Sequence, residues 1–113
     1  KKNKYYYTEN NKIINFISYG KFKNLPVVFG NQESFKILYA NLKKIKFPIN
    51  TIKTYHYFES KRWDLITKKN QTIKLPILNY DESLRSFINL KDKENFTKYK
   101  TFDYRINGQL ILK

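Results

Sequence analysis

Arg62-Trp63-Asp64-Leu65, Ile73-Lys74-Leu75-Pro76 and Phe102-Asp103-Tyr104-Arg105, closed by Asn107-Gly108 and Gln109-Leu110-Ile111-Leu112-Lys113, are the stretches that decide how this chain folds. The first two flank a polar Lys69-Asn70-Gln71 turn and read as a β-hairpin. Between the second and third lies an amphipathic segment. Asp81 to Leu90 reads as a helix with Leu84, Phe87 and Ile88 inward, and the charged Lys91 to Lys100 as a loop with a helical turn. Asn-Gly suits the two positive-φ positions of a type I′ turn, so Thr101 to Ile106 and Gln109 to Lys113 are expected to pair antiparallel.

Working outward, Ile52 to Glu59 is dense in β-branched and aromatic residues and reads as a strand. Phe35, Leu38, Tyr39, Leu42 and Ile45 recur at helical spacing, with Asn31 as N-cap, Glu33 in the first turn and Pro48 as the stop. Leu25 to Phe29 is a short apolar run bounded by Gly30. Tyr5-Tyr6-Tyr7 and Lys12 to Phe16 flank Thr8-Glu9-Asn10-Asn11, which has the composition of a hairpin turn. No repeat or long linker divides the chain. The expected fold class is α+β, a mixed or antiparallel β-sheet with two helices in a single domain over residues 1–113, ending in a hairpin with an exposed terminal edge strand.

The 113 residues suffice for one modest core. No apolar run approaches the roughly 20 residues of a membrane span. There is no Cys, which excludes disulfides and thiolate metal sites. The formal charge of +14 points to nucleic acid or an anionic surface. A compositional cause competes with it. Lys, Asn, Ile, Tyr and Phe make up 65 of the 113 residues while Ala occurs once. All five have A/T-rich codons, so base drift raises Lys without functional selection.

Catalytic chemistry finds no support. His56 is the single imidazole and lies mid-strand between Tyr55 and Tyr57, where a structural role is the ordinary one. The nine acids are scattered, the serines lack a nucleophile elbow, and three glycines make no phosphate-cradling loop. No enzyme activity and no cofactor are expected. Trp63 reads as a core anchor, and Asp64 and Asp103 as structural acids bracing a turn or meeting a Lys. Arg62 and Arg105 stand out because Arg is rare among so many lysines, which hints that a planar, bidentate donor is useful there. Arg85 reads as a solvated charge. Tyr5-Tyr6-Tyr7 and Tyr55-x-Tyr57 beside lysines keep a basic nucleic-acid-binding domain as the alternative.

The ordered motifs resemble the C-terminal β domain of the FtsQ/DivIB family of bacterial cell-division proteins. That family shows an Arg-Trp-Asp-Leu strand, an Ile-x-Leu-Pro strand, a helix and an Asp-Leu-Arg strand. Leu25-Pro26-Val27-Val28-Phe29-Gly30 is similar to its Leu-Pro-x-x-x-Gly segment. Tyr104 stands where the family usually has Leu, and Asn70-Gln71 where Asn-Gly is common. The resemblance implies a piece of a longer protein whose membrane helix and preceding POTRA domain are absent here. It further implies an inner-membrane protein with this domain facing the periplasm, a non-enzymatic scaffold that binds FtsB, and through it FtsL, beside the last strand. Carried over residue by residue, the implied contacts are Arg105, which meets a partner carboxylate, and more loosely Lys61 and Arg62. A terminal strand at a sheet edge offers its unpaired N–H and C=O groups to an added strand. That adds Ile106, Gly108, Gln109, Leu110, Ile111, Leu112 and Lys113 to the expected surface.

Overall fold

The computed structural model describes residues 25–113 together with the backbone of two short strands, 4–7 and 13–15. In chain order the elements are β1 (Lys4–Tyr7), β2 (Ile13–Asn15), β3 (Val27–Phe29), α1 (Gln32–Lys44), β4 (Ile52–Tyr57), β5 (Trp63–Thr67), β6 (Thr72–Lys74), α2 (Tyr80–Leu90), β7 (Thr101–Asp103) and β8 (Ile111–Leu112). They form one mixed sheet in the order β2-β1-β3-β4-β5-β6-β7-β8. Two neighbours are parallel, β3 with β4 and β6 with β7. Each needs a crossover, and α1 and α2 supply them. The other pairs are antiparallel. The α+β class is therefore the observed one. β1 and β2 pair antiparallel as the N-terminal composition implies, and the turn Thr8 to Asn11 lies outside the described residues.

Both helices cover the same face. Phe35, Leu38 and Leu42 of α1 and Leu84 and Phe87 of α2 are buried with Val28, Tyr55, Leu65, Ile73 and Phe102 of the strands. Two edge-on ring contacts tie the layers, Phe35 to Tyr55 and Phe87 to Phe102, each with centroids 4.9 Å apart. Asn31 caps α1, its side-chain oxygen accepting from the Ser34 amide at 2.9 Å. The helix does not run on to Pro48. Lys46 turns left-handed at φ 59°, and the Phe47 amide donates to Leu42 O while that of Lys46 donates to Lys43 O. This is a Schellman closure, sealed by burial of Phe47 beside Leu42. β4 likewise ends at Tyr57, before Glu59, because Phe58 and Arg62 close a turn with Lys61 at φ 67°.

The β5–β6 loop is Lys68-Lys69-Asn70, one residue earlier than the expected Lys69-Asn70-Gln71, because Gln71 is buried and its carbonyl accepts from the Thr67 amide at 2.8 Å. Asn70 is left-handed at φ 65°, in the position a bulged hairpin reserves for Gly or Asn. Trp63 is 5% exposed and packs on Tyr57, with centroids 4.7 Å apart.

The last hairpin departs from expectation. A two-residue Asn107-Gly108 turn would pair Ile106 with Gln109 and slide Leu112 opposite Asp103. Instead Phe102 faces Leu112 and Asp103 faces Ile111. Asn107 is not at positive φ, whereas Gly108 is at +77°, and the Gln109 amide bonds Ile106 O across the turn. Burial decides this register. It sets Leu112 beside Phe102 on the core face, whereas a one-residue slip would carry it to the opposite face. Tyr104 also resists a tight hairpin. Its amide donates to Lys74 O and its hydroxyl shares a 3.0 Å hydrogen bond with Ser86, so the chain follows β6 before it turns.

Candidate functional site

The ladder on β8 shows which main-chain groups are available. Thr101 and Lys113 exchange both N–H···O bonds, at 3.1 and 3.2 Å. Pairs along an antiparallel ladder alternate, so Phe102 and Leu112 form the non-bonded pair between them. The Leu112 N–H and C=O therefore point away from β7, toward the open edge, and Leu110 has the same parity. Ile111 and Lys113 turn their main-chain groups inward. Among the described residues no strand pairs beyond β8. Side chains follow the same alternation. Leu110 and Leu112 pack against the core while Ile111 is exposed on the opposite face.

That opposite face carries a row of residues held by register: Phe29, His56, Asp64, Lys74, Asp103 and Ile111, one from each strand β3 to β8. Its two acids are buried and its charges compensate. Arg62 Nη1 lies 2.7 Å from Asp64 Oδ1, and Lys74 Nζ 3.6 Å from Asp64 Oδ2. Arg105 closes on Asp103 with Nε at 2.9 and 3.1 Å from the two carboxylate oxygens and Nη2 at 2.6 Å. The Arg105 amide donates to the same carboxylate at 3.0 Å. Side-chain hydrogen bonds from Arg105, aided by Lys74, hold the Asp103 carboxyl below its ordinary value. Arg105 is raised in turn, chiefly by the same hydrogen bonds.

The two arginines differ in what they leave accessible. Arg62 has a side chain 13% exposed, donates also to Leu75 O at 3.3 Å, and covers the Phe58 ring at 4.7 Å. It is mortar between β5 and its neighbours. Arg105 is 46% exposed and bonds Asp103 through one edge of its fork, Nε and Nη2. Lys61 sits exposed on the turn before Arg62. The sequence therefore singled out both arginines, but the structure gives them unequal surfaces.

Beside β8 lies a hollow of about 240 Å³ between the start of α2 and the 104–110 loop. Leu78, Glu82, Ile106, Gly108, Gln109 and Leu110 are among its walls, and Leu78 and Ile106 are 75% and 52% exposed. Sequence reading missed Leu78 and Glu82. The available signal was the apolar pair Ile77-Leu78 in a loop, where it fits neither helical nor strand periodicity.

His56 stacks on Phe58 with centroids 4.5 Å apart and planes 2° apart. Among the described residues no group of His, Asp and Glu gathers closely enough to hold a metal ion. Nor is any helix among them long and apolar enough to cross a membrane.

Residues 3–105 match the family model described as Cell division protein FtsQ/DivIB, C-terminal. No curated protein matches the chain.

Proposed function

We propose that this chain, which belongs to the FtsQ/DivIB family of cell-division proteins, is a non-enzymatic scaffold domain that receives a partner strand on β8. The partner is FtsB, and FtsL is recruited through it. The observation that carries this reading is the outward Leu112 amide and carbonyl on an edge strand, next to an arginine already held in place. An added strand gains affinity from main-chain hydrogen bonds, and side-chain pockets set its register.

Arg105 supplies the charge recognition. Asp103 fixes the guanidinium by Nε and Nη2, which leaves Nη1 for a partner carboxylate. A fork already ordered loses less side-chain entropy on binding. The hollow walled by Leu78 and Ile106 then takes an apolar side chain flanking the added strand. In the full-length protein, the domain faces the periplasm from the inner membrane. Titration of a synthetic FtsB-like segment into the chain tests the reading. Saturable binding that disappears with Arg105→Glu supports it, and absence of binding by the parent chain refutes it.

A further inference from the structure

The net charge of the described part lies at one end of the sheet. β3 and β6 each finish at the end where α1 and α2 begin, and both helices return to the end where β4 and β7 start. That return end also holds the β5–β6 turn and the last residue of the described ladder. Lys43 and Lys44 end α1 and Lys46 follows it, Lys53 lies at the start of β4, and Lys68 and Lys69 lie in the β5–β6 turn. Lys91, Lys93, Lys98 and Lys100 lie between α2 and β7, and Lys113 follows β8. The acids among them are Asp92 and Glu94. This leaves an excess of nine positive charges. The rest of residues 25–113 balances, with six bases (Lys36, Lys61, Arg62, Lys74, Arg85, Arg105) against six acids (Glu33, Glu59, Asp64, Asp81, Glu82, Asp103).

Codon drift accounts for a large number of lysines but has no means of sorting them by position in the fold. Helix dipoles explain Lys43 and Lys44 at a C-terminus and Glu33, Asp81 and Glu82 at N-termini. They do not explain Lys53, Lys68, Lys69, Lys98, Lys100 and Lys113, which lie outside the helices.

We infer that this basic end binds a linear phosphodiester polymer lacking stacked bases. Charge complementarity supplies the attraction. The occupant is narrowed by what the end lacks. Of the aromatic rings there, Phe47 is buried, Phe96 and Tyr99 are half-buried against the core, and Lys98 Nζ lies over the Tyr99 ring at 5.3 Å, so among the described residues no ring stands fully exposed as a platform for nucleobases. The exposed large apolar side chains among the described residues, Ile37, Ile77, Leu78, Ile106 and Ile111, lie elsewhere, so none of them is placed to enter a bilayer at this end. β1 meets the sheet with Lys4 beside Phe29, at the end opposite the basic surface.

The inference goes beyond the partner-binding reading and uses different residues. Its test is binding of the chain to poly(glycerol phosphate), compared with a single-stranded oligonucleotide and with phosphatidylglycerol vesicles. The double variant Lys68→Gln/Lys98→Gln is set against Lys36→Gln/Arg85→Gln, which removes equal charge elsewhere. The expected result is preference for poly(glycerol phosphate), binding that falls with salt, about a tenfold loss in the first variant and less than about a twofold loss in the second. Equal losses in both variants would mean that only net charge matters and would overturn the assignment. Preference for the oligonucleotide or the vesicles, or no polymer binding at about 50 mM salt, would overturn it as well. FtsB-like segment binding should persist in both variants, so failure here is distinguishable from failure of the strand-addition reading.

Discussion

Arg105 grips Asp103, two residues before it, with the 2.6 Å Nη2–Oδ2 contact at the centre of a bond set that also includes the Arg105 amide. The acid is buried and the base half-exposed. Two residues past the end of β7, where the chain turns toward β8, the protein therefore carries a charge fixed in direction. Arg105→Glu removes the fork and sets a like charge before a partner carboxylate. Loss of an interfacial charge pair of this kind costs roughly 2–5 kcal/mol, at least about thirtyfold in affinity. Arg105→Lys should recover only part, since an ammonium cannot reproduce the fork. Isothermal titration with the FtsB-like segment reads both, with circular dichroism to check the fold.

The same pair makes an acid-pH prediction. Asp103 is held below its ordinary value of 3.8. A carboxyl depressed on folding contributes stability that is full above the unfolded value and is lost as pH falls through the folded one. Asp103→Asn should therefore flatten the decline in melting temperature below about pH 4. An unchanged acid limb would mean the pair contributes nothing to folding.

Tyr55 has its hydroxyl buried with no hydrogen-bond partner, and burial raises its ionisation well above the phenol range. Tyr55→Phe removes a desolvated polar atom while keeping the ring that meets Phe35. It should be neutral or stabilise by about 1 kcal/mol in urea denaturation. A clear loss of stability would show that the hydroxyl is satisfied.

Gly30 separates β3 from α1 at φ +154°, and a Cβ there would come within 2.5 Å of the Tyr57 Cβ. Gly30→Ala should cost about 1–3 kcal/mol through strain and the close backbone approach. Trp63→Ala should cost more, about 3–5 kcal/mol, because it empties the space between Phe35 and Tyr57. Thermal melts rank the two. In the folded fraction of Trp63→Ala, segment binding should survive, since the ring lies in the core.

Periodicity made the helices and the central strands readable, because Leu38, Leu42, Leu84 and Phe87 each answer one buried face. The closing hairpin departs from its local signal for a physical reason. Asn-Gly states a local preference, whereas the register is set by Leu112 packing beside Phe102, a contact no local pattern reveals. Arg62 and Arg105 drew notice through their rarity, but their unequal exposure depends on the row Asp64, Lys74 and Asp103, which three strands assemble. Helix stops were similarly hidden. Lys46 takes a left-handed conformation that composition assigns to Gly, so Pro48 looked like the breaker.

Strand addition at β8 is the central claim, and the alternation of the ladder makes Leu112 its most direct probe. Proline at Ile111 would remove an inward amide and damage the β7–β8 pairing itself. N-methylation of Leu112, introduced by semisynthesis, blocks the outward donor and leaves the side chain in place. The decisive measurement is the affinity of this chain for the FtsB-like segment, with melting temperature recorded alongside. The account predicts an unchanged melt and a loss of at least about tenfold in affinity, as expected when a bound strand loses a main-chain hydrogen bond and meets a methyl group. A folded N-methyl-Leu112 chain that binds the segment as tightly as the parent would contradict it.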